Sequence, residues 1–160
     1  MMVRKLSRRP SKRPLRQSPI DLVVCEGETE IDYLSEIKRS LNIHVHICKG
    51  DGTDPKSIVK TAKKRKTADG MNYDKIFCVF DRDNNPSAFK ESIDLCKQNN
   101  FCPIVSNPCF EVWPILHFQF RDSGFGDPQQ VMRALRTIPV FAEYEKDGVH
   151  VFKSTHMFLD

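Results

Sequence analysis

Short apolar runs alternate with longer amphipathic stretches through most of this 160-residue chain. The run at residues 75–80 is almost continuously apolar, which is typical of a parallel strand buried on both faces. Similar runs at 20–25, 43–48 and 101–105 predict three more strands. Because a helical pattern follows each strand, the sequence predicts an α/β fold in which helices cover both faces of a sheet of about four mainly parallel strands.

Helix signals mark the segments between and after these strands. They predict helices over residues 29–41, 55–67, 86–99, 109–118 and 129–136. Thr29 is the expected N-cap of the first helix, and Pro55 and Pro86 are expected to open the second and third. Beyond Arg136 no clear period predicts a further element.

The first residues differ from the rest in charge. Residues 1–16 hold 7 Lys and Arg residues and no acid, so a net charge of +4 leaves 4 − 7 = −3 for the remainder. Prolines and serines interrupt this basic segment, which predicts a disordered tail over residues 1–18 and a single domain over residues 19–160. The tail either grips phosphates through a sequence-independent attraction or is a solvated terminus.

Composition also bounds where the protein works. No run approaches the roughly 20 apolar residues that span a bilayer, and the N-terminus lacks the apolar stretch of a signal peptide. We therefore expect a cytoplasmic protein without a membrane partner. The 6 cysteines form no CxxC pair and mostly lie in or beside apolar runs, so they are expected to be free thiols, and no ligand spacing indicates zinc.

Acidic residues follow two of the predicted strands. Glu26 comes directly after the first strand, and Asp81 and Asp83 follow the third with one residue between them. Since ligands collect at the carboxyl ends of parallel strands, these side chains are expected at one edge of the sheet. Their carboxylate oxygens suit Mg²⁺ or Mn²⁺, which would offset the cost of crowding like charges. The alternative for the Asp-x-Asp pair is a polar turn of a kind common after strands.

Further residues are candidates for contact with a substrate. Gly27 lets a ligand approach the backbone closely. Glu30 is either directly involved or a first-turn glutamate favoured by the helix dipole. Lys60, Lys63 and Lys64, on the strongly basic second helix, either receive a nucleic-acid backbone or form a solvated face.

Three segments together resemble known proteins. Residues 23–30, Val-Val-Cys-Glu-Gly-Glu-Thr-Glu, and residues 80–83, Phe-Asp-Arg-Asp, resemble the Toprim domain of topoisomerases, primases, recombination-repair proteins and overcoming-lysogenization-defect (OLD) nucleases. Residues 106–113, Ser-Asn-Pro-Cys-Phe-Glu-Val-Trp, and the Leu-His-Phe at 116–118 are similar to the RloB family, whose members are encoded near bacterial restriction or abortive-infection systems. The resemblance implies a Toprim-like, Rossmann-like domain.

The resemblance also implies an activity and its residues. Glu26, Asp81 and Asp83 are implied as the metal-binding acids of a nuclease that hydrolyses DNA or RNA phosphodiester bonds in prokaryotic defence. Glu111 is implied as a further catalytic acid, with a helix-dipole glutamate as the alternative, and Asn107 as a phosphate contact or a helix cap. The expected partners are DNA or RNA and an ATPase or restriction-system protein, and an oligomer stays open.

Other interpretations remain beside this one. The protein is alternatively a non-catalytic partner that binds nucleic acid or a nucleotide. A receiver-like phosphoacceptor would need a lysine after the last central strand, where residues 106–108 are Ser-Asn-Pro. Trp113 and His117, four residues apart on one helix face, are expected to be a packed aromatic and a hydrogen-bonded histidine. Family members continue with further helical sequence, so the domain is either a shortened one or ends in a way that the sequence does not show.

Overall fold

Strands and helices alternate in the computed structural model, which describes residues 20–68, 70–82 and 85–156. The strands are β1 (Ile20–Cys25), β2 (Val45–Lys49), β3 (Tyr73–Asp81) and β4 (Cys102–Ser106). The helices are α1 (Glu28–Leu41), α2 (Pro55–Ala68), α3 (Pro86–Asn99), α4 (Val112–Phe118), α5 (Pro128–Arg136) and α6 (Gly148–Thr155), with a 3₁₀ turn at Pro139–Phe141. The predicted order of four strand and helix pairs is confirmed.

The four strands form one sheet in the order β2-β1-β3-β4, and every neighbouring pair is parallel. The register pairs Cys25 with Lys49 on one side and with Val79 on the other, and it pairs Asp81 with Ser106. The carboxyl ends of all four strands therefore meet at one edge. Ligands of open parallel sheets bind at this edge, so the fold fixes where a site is to be sought.

Helices cover both faces of the sheet, as predicted. Helices α2 and α3 pack on one face, over a buried cluster of Leu22, Val24, Ile58, Val59, Ala62, Ile76, Cys78, Phe80, Cys96 and Phe101. Successive side chains of a strand point to opposite faces of the sheet, so the strand residues between those of this cluster lie on the face opposite α2 and α3. There Val23 and Phe77 border an apolar groove together with Leu34 and Ile37 of α1.

A second hydrophobic cluster lies between α1 and the helices that follow the sheet. Its buried members are Tyr33, Cys109, Phe110, Ile115, Val131, Leu135, Ile138, Phe141, Tyr144, Val151 and Phe152. Gly148 is the closest point of this packing, because a Cβ there would fall on the carbonyl oxygen of Thr29 and lie 2.7 Å from the backbone nitrogen of Tyr33. Glycine thus lets α6 rest directly on the backbone of α1.

Some local predictions were wrong. Thr29 is not the N-cap of α1; Gly27 holds that position, and no side chain caps the helix. The fourth helix begins at Val112 rather than near Cys109, because residues 109–111 form a turn. The sequence signals also missed α6 and the 3₁₀ turn. The buried residues of α6 (Gly148, Val151, Phe152 and Thr155) recur at helical spacing, but only two of them are large and apolar.

Some of the remaining predictions concern residues outside the described part of the chain. The structure tests the others. The basic tail at 1–18 and Asp83 lie outside the described residues. All 6 cysteines are free thiols, as predicted. Within the described ranges, no helix has both the length and the apolar character needed to cross a membrane.

Candidate metal and substrate site

Glu26 and Asp81 lie side by side at the carboxyl edge of the sheet. The backbone N–H of Glu26 donates to the carbonyl of Val79 at 3.0 Å, which extends the pairing of β1 and β3 by one residue. The backbone N–H of Asp81 donates to Oε2 of Glu26 at 3.0 Å. The structure therefore brings together two of the three acids that the sequence places at this edge.

A pocket of about 260 Å³ opens over these two acids. Its lining residues are Glu26, Gly27, Glu28, Thr29, Glu30, Asp81, Phe110, Glu111 and Lys146. Glu30 is 5% exposed and Glu111 is 3% exposed, so both carboxyl groups are buried in its wall. Glu111 comes from the turn before α4, which returns to this edge after β4. We call this space the carboxylate pocket.

The carboxylate pocket is electrostatically costly without a cation. Burial, with the nearby charges of Glu30, Glu26 and Glu111, raises the pKa of Asp81 to about 8. Burial also raises the pKa of Glu30, and the charge of Glu111 adds to that effect. Oδ1 of Asp81 is buried and has no hydrogen-bond partner among the described residues. An unpaired buried carboxylate oxygen lowers stability, so this atom needs a partner that the described residues do not supply.

Lys146 brings a positive charge to the rim of the pocket. Its Nζ lies 3.8 Å from Oε1 of Glu111, and its backbone adopts the left-handed conformation at φ 53°. The hydroxyl of Thr29 donates to the carbonyl of Lys146 at 3.0 Å and ties this turn to the start of α1. Sequence reasoning missed Lys146, since its Lys-Asp-Gly segment signals only a turn.

Gly27 lies in the wall of the pocket and packs closely against the side chain of Glu30. A Cβ at this position would lie 3.3 Å from Cδ of Glu30, with one carboxylate oxygen closer still. Glu30 can occupy its buried position because residue 27 has no side chain. Gly27 and Glu30 therefore lie in the wall of the pocket, and their contact with a substrate stays a prediction.

A comparison with known protein families gave a match. A family model described as RloB-like protein matches residues 22–159. The chain belongs to the RloB-like family. Comparisons with curated proteins and with solved structures gave no significant match. Membership in the RloB-like family assigns the family alone, so the relation to Toprim domains and OLD nucleases stays a prediction from the sequence motifs.

Other predicted substrate residues of this RloB-like chain lie apart from the pocket. Asn107 is exposed in the segment that follows β4 and does not line the pocket. Lys60, Lys63 and Lys64 are exposed on α2, and Nζ of Lys64 lies 3.5 Å from Oδ2 of Asp51. Their role in binding nucleic acid stays a prediction.

Two residues of the RloB-like motif have structural contacts: His117 is hydrogen-bonded as expected, whereas Trp113 is 48% exposed and is not packed in the core. Nε1 of Trp113 donates to the hydroxyl of Tyr33 at 2.9 Å. The rings of Trp113 and His117 pack edge to face with centroids 5.1 Å apart, and Nδ1 of His117 lies 3.0 Å from the Trp113 carbonyl oxygen. The motif therefore anchors α4 to α1 and carries Glu111 to the pocket.

The donor set of the pocket fits a hard divalent cation. Its acidic side chains offer carboxylate oxygens, which are the ligands that Mg²⁺ and Mn²⁺ prefer. The unpartnered oxygen of Asp81 is a ready ligand. Within residues 20–68, 70–82 and 85–156, no three His, Cys, Asp or Glu side chains are close enough to form a complete metal site. The metal site therefore stays a prediction, in which Asp83 would join Glu26 and Asp81 as the third acid.

Proposed function

We propose that this protein is a metal-dependent phosphodiesterase that hydrolyses the backbone of DNA or RNA. The observation that carries the proposal is the buried Oδ1 of Asp81, which has no hydrogen-bond partner among the described residues and lies in a pocket that five carboxyl groups line. Such crowding lowers stability unless a cation binds, so a fold that retains it gains something from the bound cation.

Glu26 and Asp81 are the residues that would hold Mg²⁺ or Mn²⁺, with Asp83 as the third ligand predicted from the sequence. A bound divalent metal supplies a more acidic water and a positive charge for the developing oxyanion. Glu26 is held in place by the backbone N–H of Asp81, so the two ligands are oriented together. The protein thus provides a fixed pair of oxygen ligands at the carboxyl edge of the sheet.

Two further side chains support the same chemistry. Lys146 places its ammonium group at the rim, where it can pair with a phosphate oxygen and reduce the repulsion between the acids and a polyanion. Glu30 has a raised pKa because it is buried, so it is suited to hold a proton and to release it to the leaving oxygen. Glu111 is kept near Lys146 and orients that lysine.

The proposed setting is prokaryotic defence linked to a restriction or abortive-infection system, in the cytoplasm. It rests on the RloB-like family and on the resemblance of the motifs to OLD nucleases. An ATPase or restriction-system protein is the proposed partner. A second candidate is a non-catalytic regulator that binds nucleic acid or a nucleotide, and the lack of a complete three-ligand group within the described ranges favours it.

A cleavage assay decides between these two functions. The full chain is incubated with single- and double-stranded DNA and RNA, with Mg²⁺, Mn²⁺ or EDTA. We expect cleavage that needs metal and that Glu26→Gln abolishes, because the amide still accepts the hydrogen bond from Asp81 but binds metal poorly. Asp94→Asn, at an exposed site on α3, is the matched control and retains activity. Absence of cleavage on every substrate with either metal would leave the regulator as the better account.

A further inference from the structure

A second cavity lies beside the carboxylate pocket and shares Glu111 and Lys146 with it. It has a volume of about 400 Å³, and four residues of α5 also line it: Gln129, Met132, Arg133 and Arg136. We call it the basic cavity. Because Glu111 and Lys146 line both spaces, the two cavities are adjacent.

The basic cavity carries a net positive charge. Arg133, Arg136 and Lys146 contribute three cations and Glu111 one acid, which gives 3 − 1 = +2. Neither arginine forms an ion pair with an acidic side chain within the described ranges. The carboxylate pocket, by contrast, is lined by five acids and one lysine. A polyanion approaching the acids is therefore attracted by the neighbouring cavity.

Arg136 is held in a fixed orientation. Its Nε and Nη2 donate to the carbonyl of Tyr144 at 3.4 and 3.0 Å. A guanidinium has five N–H donors, so three remain for a ligand. Arg133 lies three residues earlier and therefore on the same side of α5. A planar guanidinium with free N–H groups suits the oxygens of a phosphate.

The helix that carries the arginines is anchored at its start and along its inner face. Asp127 caps its start by accepting from the backbone N–H of Gln130 at 2.9 Å. Val131 and Leu135 are fully buried on the inner side of α5. Basic residues are common in the last turn of a helix because they interact favourably with its dipole. That explanation does not cover Lys146, which reaches the same cavity from the turn before α6.

We propose that the basic cavity binds a backbone phosphate of the nucleic acid adjacent to the bond that the carboxylate pocket cuts. This inference rests on the proposed function of the carboxylate pocket. Arg133 and Arg136 contact the phosphate oxygens, and Met132 contacts the sugar. Lys146, at the common wall, lies between the two phosphates. The cavity thus supplies the attraction to the backbone that the acids alone would oppose.

Arg133 gives the clearest test because it is exposed and has no structural partner comparable to that of Arg136. Binding of a fluorescein-labelled oligonucleotide is measured by anisotropy in EDTA at several NaCl concentrations. We expect Arg133→Gln to weaken binding about 5-fold and Arg133→Glu more than about 10-fold. The slope of log K against log salt should fall by about 0.7 to 1 when the charge is removed. Where cleavage is measured, KM rises while kcat changes little.

Lys97→Gln is the matched control. Lys97 is exposed near the end of α3, at the opposite edge of the sheet, and its substitution removes the same charge. It should change binding less than 2-fold. Equal effects of the two substitutions, or no effect of Arg133→Glu on binding, would overturn the inference. So would competition by a 5′-mononucleotide that depends on Arg133 while oligonucleotide binding does not, because the cavity would then hold a free nucleotide.

The test separates this inference from the proposed function. Binding in EDTA requires no cleavage, so a dependence on Arg133 without cleavage of any substrate would leave the phosphate site standing and remove the nuclease. Metal-dependent cleavage with binding and KM unchanged in Arg133→Glu would do the reverse. Thermal unfolding of each variant confirms that the fold is intact.

Discussion

The two walls of the carboxylate pocket have different structural origins. The wall formed by Glu26 and Asp81 follows directly from the ends of β1 and β3, which are neighbours in the sheet. The wall formed by Glu111 and Lys146 depends on the packing of α4 and α6 against α1. The first wall is set by strand pairing, whereas the second exists only when the helices after the sheet dock. Substitutions can therefore alter the strand-end acids Glu26 and Asp81 without altering the wall that holds Lys146, and the reverse.

The largest effect is expected in the strand wall. Asp81→Asn should lower metal-dependent cleavage by at least about 10³-fold, equivalent to about 4 kcal/mol, because it removes a metal ligand. The same change should stabilise the metal-free protein at neutral pH by about 2 kcal/mol, since Asn avoids the cost of keeping a buried carboxyl group protonated. Cleavage rates and unfolding in EDTA measure the two effects.

The pH dependence of this stability follows from the raised pKa of Asp81, about 8 in the fold against 3.8 for an ordinary Asp. Between these values the folded protein binds more protons than the unfolded chain, so the metal-free protein loses stability as pH rises from about 4 to 8. Asp81→Asn should flatten that loss, and Asp94→Asn should not. A greater loss in Asp81→Asn would contradict a buried carboxyl group with a raised pKa at this position.

The next effect tests the helical wall. Gly148→Ala should destabilise the protein by about 2–3 kcal/mol, because its Cβ meets the backbone of α1. It should also reduce cleavage, since α6 carries the turn that presents Lys146. Gly124→Ala is the matched control, because nothing lies within 4 Å of its added Cβ. Urea unfolding measures both, and equal stability of the two variants would show that α6 does not dock as described.

A smaller effect is expected where the two walls are joined. Thr29→Val removes the hydrogen bond to the Lys146 carbonyl and should cost about 1 kcal/mol. Thr29→Ser keeps the hydroxyl and should recover most of the loss. Thermal unfolding gives the stability of each, and KM for an oligonucleotide reports the position of Lys146. If valine and serine behave alike, the hydroxyl is not what holds the turn.

The smallest effect concerns the α2 surface. Replacing Lys60, Lys63 and Lys64 together by Gln should weaken oligonucleotide binding only about 2–3-fold at low salt, because none of them lines either cavity. The rate constant for cleavage should not change. A loss above about 10-fold in the same anisotropy assay would place the main nucleic-acid contact on α2 instead of at the basic cavity.

The difference between the walls also explains why the sequence predicted the acids at the strand ends but not the residues that helix packing brings to the site. Apolar runs and their order indicate parallel strands, and parallel strands bring Glu26 and Asp81 to one edge whatever the details of packing. Glu111 was recognised through its motif. Lys146 and Arg133 carry no local signal, because their position depends on contacts between segments far apart in the chain. Thr29 was wrongly predicted as a cap for the same reason, since its hydroxyl binds a residue 117 positions away.

The position of Lys146 along the chain has a consequence for biosynthesis. A growing chain completes the last strand at Ser106, and 146 − 106 = 40 further residues must be added before this lysine exists. The acidic half of the pocket is thus made well before the lysine, and α6 comes later still. The site is therefore complete only after α6 has been synthesised and has packed against α1.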